Sequence, residues 1–191
     1  MASRGGKRAA GTDGTDYMHR ETIANHYATS SLNKGRLKVT VIFHWLLFLM
    51  MLLRLTPDLC AMVKTEVPVI IESLSLPPPS LWELSWLPSI MASMFAQLSL
   101  KRNTSSLLWQ ALLGNLVLSI GPVLYGLSEQ YPIVREHLRD GKDSEISLSF
   151  LFRIATCCWL TVSLQVHVLQ MYFIQQLLSA WSIAKRKIKS S

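Results

Sequence analysis

Residues 39–55 read VTVIFHWLLFLMMLLRL, and this stretch decides the fold class. Its one charged residue, Arg54, lies near its end, and Lys38 directly precedes it. A helix needs about 20 mostly apolar residues to cross about 30 Å of hydrocarbon, and long cationic side chains at its ends can reach the headgroups. We therefore predict a membrane-spanning helix over residues 39–55.

Three further apolar runs lie downstream, at 84–100, 107–127 and 150–174. The run 84–100 is the weakest, because it is short and carries Pro88 and Gln97. Only residues 101–106 separate it from the next run, so these two segments must form an antiparallel hairpin. The prediction is an all-α membrane protein with four transmembrane helices as two antiparallel hairpins, a disordered N-terminal head and a short basic C-terminal tail.

The charged residues flank these runs and set the predicted topology. Of the 19 Lys and Arg residues, 13 lie in the head, the middle turn and the tail, whereas 9 of the 12 Asp and Glu residues lie in the two other loops. Basic segments stay in the cytosol. The expected segments are a cytosolic head 1–38, a helix 39–55, a luminal loop 56–83, a helix 84–100, a cytosolic turn 101–106, a helix 107–127, a luminal loop 128–149, a helix 150–174 and a cytosolic tail 175–191.

Composition limits the function classes. Half of the 191 residues are hydrophobic, 16% are charged, the mean hydropathy is +0.28 and the net charge is +7. The excess of base flanks apolar runs, so we expect membrane lipids and not nucleic acid as partners. The three cysteines have no metal-ligand spacing, and no catalytic or nucleotide-binding motif occurs. We predict a protein without enzymatic activity, metal or cofactor.

Several connecting segments have a recognisable character. Residues 1–15 are Gly-rich and polar, which predicts disorder, whereas 16–38 carry some helical pattern. The head is either a leader without a role or a docking peptide. The apolar stretch 67–76 is too short to cross and is expected on the bilayer surface, and Pro77–Pro79 predicts an extended segment. Trp82 and Trp86 are expected at the membrane interface.

Polar residues inside the runs form a predicted layer below the cytosolic headgroups. At 1.5 Å per residue, five side chains fall at a similar depth. They are His44, Gln97, Gln110, Gln165 and His167. Such groups are costly in hydrocarbon unless paired, so some are expected to face inward and bond between helices. The functional alternative is a lipid-handling or redox site, with His44 and His167 as haem ligands. Pro122 predicts a kink in the third span.

The chain ends with Lys187-Ile188-Lys189-Ser190-Ser191, which is K-x-K-x-x at the C-terminus. This pattern resembles the dilysine signal by which coatomer retrieves membrane proteins to the endoplasmic reticulum. It requires both lysines in the cytosol, where the charge count locates the tail. The alternative is a basic patch held by anionic lipid headgroups. We expect Lys187 and Lys189 to form a retrieval signal, with coatomer as partner.

The head carries the strings MASRGG (1–6) and AGTDGTD (10–16), followed by His19-Arg20-Glu21 and His26-Tyr27. These residues resemble the N-terminal segment of proteins of the Jagunal family. The similarity continues through six later segments, namely Leu32-Asn33-Lys34, Arg36-Leu37-Lys38, Phe43-His44, Pro77-Pro78-Pro79, Pro122 and Gln165-Val166-His167. The proline-bearing loop is more similar to the invertebrate members.

The resemblance implies a non-enzymatic protein of the endoplasmic reticulum membrane. It implies roles in organisation of that organelle, in vesicle-mediated protein transport and in secretion, with secretory cargo as a further partner. The tail and the second luminal loop match the family poorly.

Overall fold

The computed structural model describes residues 15–66, 77–140 and 148–190; within these ranges the side chains of 15–20, 22, 23, 26, 140, 148, 149 and 183–190 are not described. Every regular element in this part of the chain is helical, and it contains no strand. The predicted all-α class is confirmed.

The described residues form six α-helices and one π-helical stretch. They are α1 (Thr15–Val63), α2 (Leu81–Trp86), α3 (Ser89–Arg102), α4 (Ser105–Gly114), the π stretch (Asn115–Ile120), α5 (Gly121–Asp140) and α6 (Leu148–Ser190). Helix α4, the π stretch and α5 follow one another without a gap, so they form one long helical run.

Within the described ranges, three helical segments are long and apolar enough to cross a membrane. They are Tyr27–Val63, Ser105–Arg139 and Phe150–Ser182. Helix α3 has 14 residues, or about 21 Å at 1.5 Å per residue, which is shorter than the hydrocarbon core. Length and composition therefore support three of the four predicted spans and leave the fourth unconfirmed.

The helices extend further than the predicted segments. Helix α1 begins at Thr15, so the head is helical from there onward, and the predicted disorder of the first residues lies outside the described part. Helix α5 takes in residues 128–140 of the second loop, and α6 continues into the basic tail. Propagating a helix adds one hydrogen bond for each residue ordered, so helices continue past apolar segments, and α1 and α5 do so even through Pro57 and Pro132. The predicted surface segment 67–76 lies outside the described residues.

The predicted kink at Pro122 falls where the third run changes its helical form. Pro122 is the second residue of α5 and has no N–H to donate to the carbonyl of Leu118. The π stretch Asn115–Ile120 directly precedes it, and the Gly121 N–H donates to the Leu116 carbonyl five residues back. The irregular turn thus lies where the proline interrupts regular α-helical bonding.

The interior has two apolar clusters. The first, towards the chain termini, consists of Leu37, Val41, Ala96, Leu100, Leu108, Ala111, Leu112, Ile174 and Leu177. The second, towards the far end of α1, consists of Leu47, Met51, Leu55, Trp82, Trp86, Val123 and Leu160. Each cluster receives side chains from all four helical runs: α1, α2–α3, α4–π–α5 and α6.

Small residues let the runs approach one another closely. A Cβ atom built on Gly126 of α5 would lie 2.7 Å from Cδ2 of Trp82 in α2, so that indole occupies the space above the glycine. A Cβ atom on Gly114 would lie 3.1 Å from Cβ of Ala92. Such small-residue contacts are typical of helix pairs in membranes.

A tight turn joins α3 to α4. Asn103 ends α3 in the left-handed conformation, with φ 51°, and Asn tolerates this conformation better than most residues. Its Oδ1 atom accepts a 2.7 Å hydrogen bond from Nζ of Lys34. This contact holds the turn beside the basic segment of α1.

Candidate functional site: a buried polar core

A layer of fully buried polar side chains separates the two apolar clusters. We name it the polar core; its members are His44, Ser89, Ser93, Asn115, Ser119, Ser163, His167 and Gln170. All four helical runs contribute to it. Along each run, the buried residues are apolar in one cluster, polar in this layer and apolar again in the other cluster. Polar groups at this depth need protein partners, since lipid offers none.

The structure brings together two of the five residues of the predicted layer. His44 and His167 are completely buried, and their ring centroids lie 4.8 Å apart in an edge-to-face arrangement with an interplanar angle of 74°. Gln97 is half-buried, and Gln110 and Gln165 are exposed on the outer surface of the bundle. The glutamines are therefore not neighbours of the histidine pair in the core.

His44 links α1 to the α2–α3 run. Its Nε2 atom lies 3.2 Å from Oγ of Ser89, at hydrogen-bonding distance. Its ring stacks on the indole of Trp86, with a centroid distance of 5.5 Å. The neighbouring Trp45 donates from Nε1 to Oγ of Ser93 at 2.9 Å. Two consecutive residues of α1 thus bind α3 one turn apart.

His167 links α6 to the same run. The indole Nε1 of Trp86 donates to Nε2 of His167 at 3.3 Å. An indole N–H can only donate, so Nε2 of His167 must accept, and this ring carries its proton on Nδ1. Trp86 therefore bridges the two histidines: it stacks on one and donates to the other.

Asn115 ties the π stretch to α6. Its Nδ2 atom donates to the backbone carbonyl oxygen of His167 at 2.9 Å. That carbonyl belongs to a residue whose side chain is already fixed by Trp86, so the backbone and side chain of His167 are held from two different runs. Asn115 is the first residue of the π stretch, and π-helical turns often occur at functional positions.

Several atoms of the polar core have no hydrogen-bond partner among the residues that the structure describes. They are Nδ1 of His44, Nδ1 of His167, Oδ1 of Asn115, Oγ of Ser119 and Oγ of Ser163. The amide of Gln170 lies close enough to act on the His44 ring, but its oxygen and nitrogen form no bond of full hydrogen-bond geometry. These atoms are the donors and acceptors that the core offers to small polar molecules such as water.

The geometry does not suit haem bound between His44 and His167. Axial histidines lie on opposite faces of the porphyrin, whereas these two rings touch edge to face at 4.8 Å and leave no space for a macrocycle. Nε2 of each ring already faces a protein partner. Among the residues that the structure describes, no group of three or more His, Cys, Asp or Glu side chains is arranged to hold a metal ion.

Trp82 and Trp86 are buried in the second apolar cluster, so their indoles contact neighbouring helices, and their interfacial depth stays a prediction. Sequence analysis also missed Asn115 and Gln170. A signal was present for Gln170, which follows His167 by three residues and so lies on the same helix face. Ser163, four residues before His167, completes that face.

Comparison with known proteins identifies the family. The model of the Jagunal family, described as "Jagunal, ER re-organisation during oogenesis", matches residues 1–185. The chain belongs to the Jagunal family. This confirms the resemblance seen in the sequence, and the family description names the organisation of the endoplasmic reticulum rather than a chemical reaction.

Relatives from vertebrates and insects cover almost the whole chain. Protein jagunal homolog 1-B of Danio rerio is 33% identical over 181 residues, which is 95% of this chain and 94% of the relative. Protein jagunal homolog 1 of Homo sapiens is 31% identical over 189 residues, 99% of each chain. Protein jagunal of Drosophila melanogaster is 33% identical over 188 residues, 95% of each chain. Whole-chain identity does not separate the insect from the vertebrate Jagunal proteins.

The Jagunal match includes the complete polar core and all four helical runs up to residue 185. It ends two residues before Lys187, so the predicted retrieval signal lies beyond the matched region. The side chains of Lys187 and Lys189 also lie outside the described residues.

Proposed function

We propose that this protein crosses the endoplasmic reticulum membrane four times and supports the organisation of that organelle and the vesicle-mediated transport of secretory cargo. It acts without catalysis, through contacts made by its ends and its membrane surface. The match of residues 1–185 to a family described by reorganisation of the endoplasmic reticulum carries this proposal.

The packing of α2 and α3 supports a fourth span. The two helices and the short turn between them cover residues 81–102, or about 33 Å if helical throughout, which approaches the thickness of the hydrocarbon core. After the Asn103 turn, α4 returns alongside α3, and α4 lies within a candidate span. Residues of the run enter both apolar clusters and the polar core between them. A segment packed at every level of the bundle shares the depth of its neighbours.

The charge distribution supports cytosolic positions for both ends. Four crossings return the chain to its starting side, and the base-rich head, turn and tail would then share the cytosol. The bond between Lys34 and Asn103 agrees with this arrangement, because it holds the head segment of α1 beside the turn between α3 and α4.

The C-terminal Lys187 and Lys189 would return the protein from later compartments by binding coatomer. Two ammonium groups at fixed distances from the terminal carboxylate suit acidic pockets on a cytosolic coat. The signal needs a cytosolic tail, so this proposal depends on the four-span topology.

A paired substitution tests retrieval. Changing Lys187→Ser together with Lys189→Ser is expected to move the protein from the endoplasmic reticulum to the Golgi, measured by microscopy against markers of both organelles. The matched control is Lys185→Ser with Arg186→Ser, which removes the same charge from the tail and leaves K-x-K-x-x intact. Retention of both variants, or equal displacement of both, contradicts the retrieval signal.

Secretory transport is tested in cells that lack the protein. Restoring the wild-type chain should restore the transit time of a secreted reporter and the normal network of the endoplasmic reticulum. If transit and network remain normal without the protein, the proposed role is wrong.

A further inference from the structure

Arg54 and Glu83 form an ion pair at the end of the bundle away from the chain termini. Nη2 of Arg54 lies 3.7 Å from Oε2 of Glu83, and the two side chains are only 12% and 6% exposed. The same nitrogen donates to the carbonyl oxygen of Pro77 at 2.6 Å. Cζ of Arg54 lies 5.1 Å from the centre of the Phe152 ring.

This ion pair leaves donors and an acceptor unused. Nε and Nη1 of Arg54 are buried and form no hydrogen bond with any described residue, and neither does Oε2 of Glu83. Buried polar groups of folded proteins are nearly always hydrogen-bonded, so two guanidinium nitrogens without a hydrogen bond, and a carboxylate oxygen that makes the 3.7 Å ion contact but no hydrogen bond, point to a ligand. The N–H groups of these two nitrogens suit an anionic oxygen, and the carboxylate suits a donor that carries positive charge.

A cavity of about 170 Å³ lies against these atoms. Besides Arg54 and Glu83, its wall consists of Met50, Met51, Trp82, Phe152, Ala155, Thr156 and Trp159. Met50 of α1 and Ala155 of α6 are exposed, so the cavity opens on the outer surface between these two helices. Cavities of roughly 150 Å³ admit a benzene-sized molecule, so this one fits a headgroup and not a whole lipid.

The surrounding charges select among headgroups. Asp58 and Glu129 add negative charge close to Glu83, and Arg54 is the cation that acts on it. This excess of carboxylates opposes a purely anionic headgroup. A zwitterionic headgroup brings its own positive group to the carboxylate and its phosphate to the guanidinium.

We propose that the cavity between α1 and α6 binds a phospholipid whose headgroup carries a phosphate, a primary ammonium and no further charge, as in phosphatidylethanolamine. The phosphate accepts from Nε and Nη1 of Arg54, and the ammonium donates to Glu83. The acyl chains leave between Met50 and Ala155 and lie on the bundle in the bilayer. A choline headgroup fits less well, because its trimethylated nitrogen has no N–H to donate. The proposal requires only that α1 and α6 face lipid, and it does not depend on the role in secretion.

The test measures lipid retained by the purified full-length chain. Protein reconstituted in nanodiscs with equal amounts of phosphatidylethanolamine, phosphatidylcholine and phosphatidylserine is transferred to detergent, and bound lipids are counted by native mass spectrometry. The wild type should retain phosphatidylethanolamine roughly tenfold better than phosphatidylcholine, as expected when charge-assisted hydrogen bonds are made to one headgroup and not the other. Equal retention of the two, or a preference for phosphatidylserine, overturns the proposal.

Variants locate the site. Arg54→Gln should abolish the preference, whereas Arg153→Gln should keep it, because Arg153 bonds Gln130 and does not line the cavity. Ala155→Trp fills the mouth of the cavity from an exposed position and should abolish retention while the ion pair stays intact. Circular dichroism confirms that each variant is folded. If both arginine variants behave alike, or if Ala155→Trp retains the lipid, the assignment is wrong.

Soluble headgroup distinguishes a lipid site from a site for a free phosphate compound. Glycerophosphoethanolamine should fail to displace the diacyl lipid at equal concentration, because it lacks the acyl chains that lie on the apolar surface of the bundle. Displacement by equal amounts would show that the cavity serves a soluble compound and would refute the lipid assignment.

Discussion

Replacing Gly126 by Ala tests whether α2 is packed inside the bundle. The added Cβ atom would lie 2.7 Å from Cδ2 of Trp82 and 3.0 Å from Cδ2 of Leu160. Trp82 is buried on all sides, so its indole cannot move outward to make room. The substitution should therefore push α2 away from α5 and lower the free energy of unfolding.

The magnitude follows from two opposing effects. Overpacking a well-filled interior costs about 1–3 kcal/mol, whereas replacing Gly by Ala within a helix gains about 1 kcal/mol from helix propensity. Gly35→Ala in α1 provides the matched control, because nothing lies within 4 Å of its added Cβ atom. That variant should be stabilised by propensity alone. The free energy of unfolding of Gly126→Ala should therefore be lower than that of Gly35→Ala by the overpacking cost, about 1–3 kcal/mol.

Both variants are unfolded in mixed micelles by increasing the fraction of a denaturing detergent, with helicity and tryptophan fluorescence as probes. Gly35→Ala should unfold later than the wild type, and Gly126→Ala should unfold well before Gly35→Ala. If Gly126→Ala is as stable as Gly35→Ala, Trp82 does not lie on α5. The α2–α3 run would then lack this contact with α5, and the support for a fourth span would be weakened.

Three further predictions address the core and the topology. Trp86→Phe removes the donor to Nε2 of His167 and should lower the free energy of unfolding by about 1–3 kcal/mol. The control, Trp109→Phe at an exposed position, should have little effect. Equal effects of the two variants contradict the bridging role of Trp86. The purified protein should show no Soret band, and a band that vanishes in His44→Ala with His167→Ala would contradict the geometry of the histidine pair. Asn103 lies in an N-glycosylation sequon within the predicted cytosolic turn, so glycosidase treatment should leave the electrophoretic mobility of the cellular protein unchanged, and a shift that Asn103→Gln abolishes would overturn the topology.

Hydropathy was sufficient to predict the helical runs, because the thickness of hydrocarbon fixes the length of a span. The similar predicted depth of polar residues in the different runs also indicated His44 and His167, whose rings contact each other in the structure. Depth alone does not say which side of a helix faces inward. Successive helical residues are separated by about 100°, so Gln165, two positions from His167, points to nearly the opposite side.

The inward faces were marked by small residues rather than by polarity. Gln97 and Gln110 each adjoin a buried alanine, Ala96 and Ala111 respectively. In a membrane protein the lipid-facing and core-facing surfaces are both apolar, so hydrophobic periodicity loses its usual meaning. Small residues mark helix contacts instead, because they let backbones approach closely. The π stretch could not be predicted, since it depends on both Pro122 and the contact of Asn115 with α6.

The polar core has a structural consequence for these helices. Apolar surfaces alone set the register of two helices weakly in a membrane, because lipid contacts compete with them on nearly equal terms. Hydrogen bonds to both the ring and the carbonyl of His167 from two different runs allow one register only. A slip by one turn would move Trp86 and Asn115 away from both acceptors and leave them unpaired in an apolar interior.

The burial of the polar core limits where the protein can contact its partners. Every member of the polar core is completely enclosed, so no partner or lipid reaches it unless the bundle opens. A protein that organises a membrane must make contacts from its surface. In the described residues, the cavity beside Arg54 and Glu83 opens on the outer surface between α1 and α6, at one end of the bundle. The basic segment of α1 around Lys34 and the turn at Asn103 lie at the opposite end. The core holds these two surfaces at a fixed separation, so substitutions in it should act on both together, whereas substitutions at either surface should act separately.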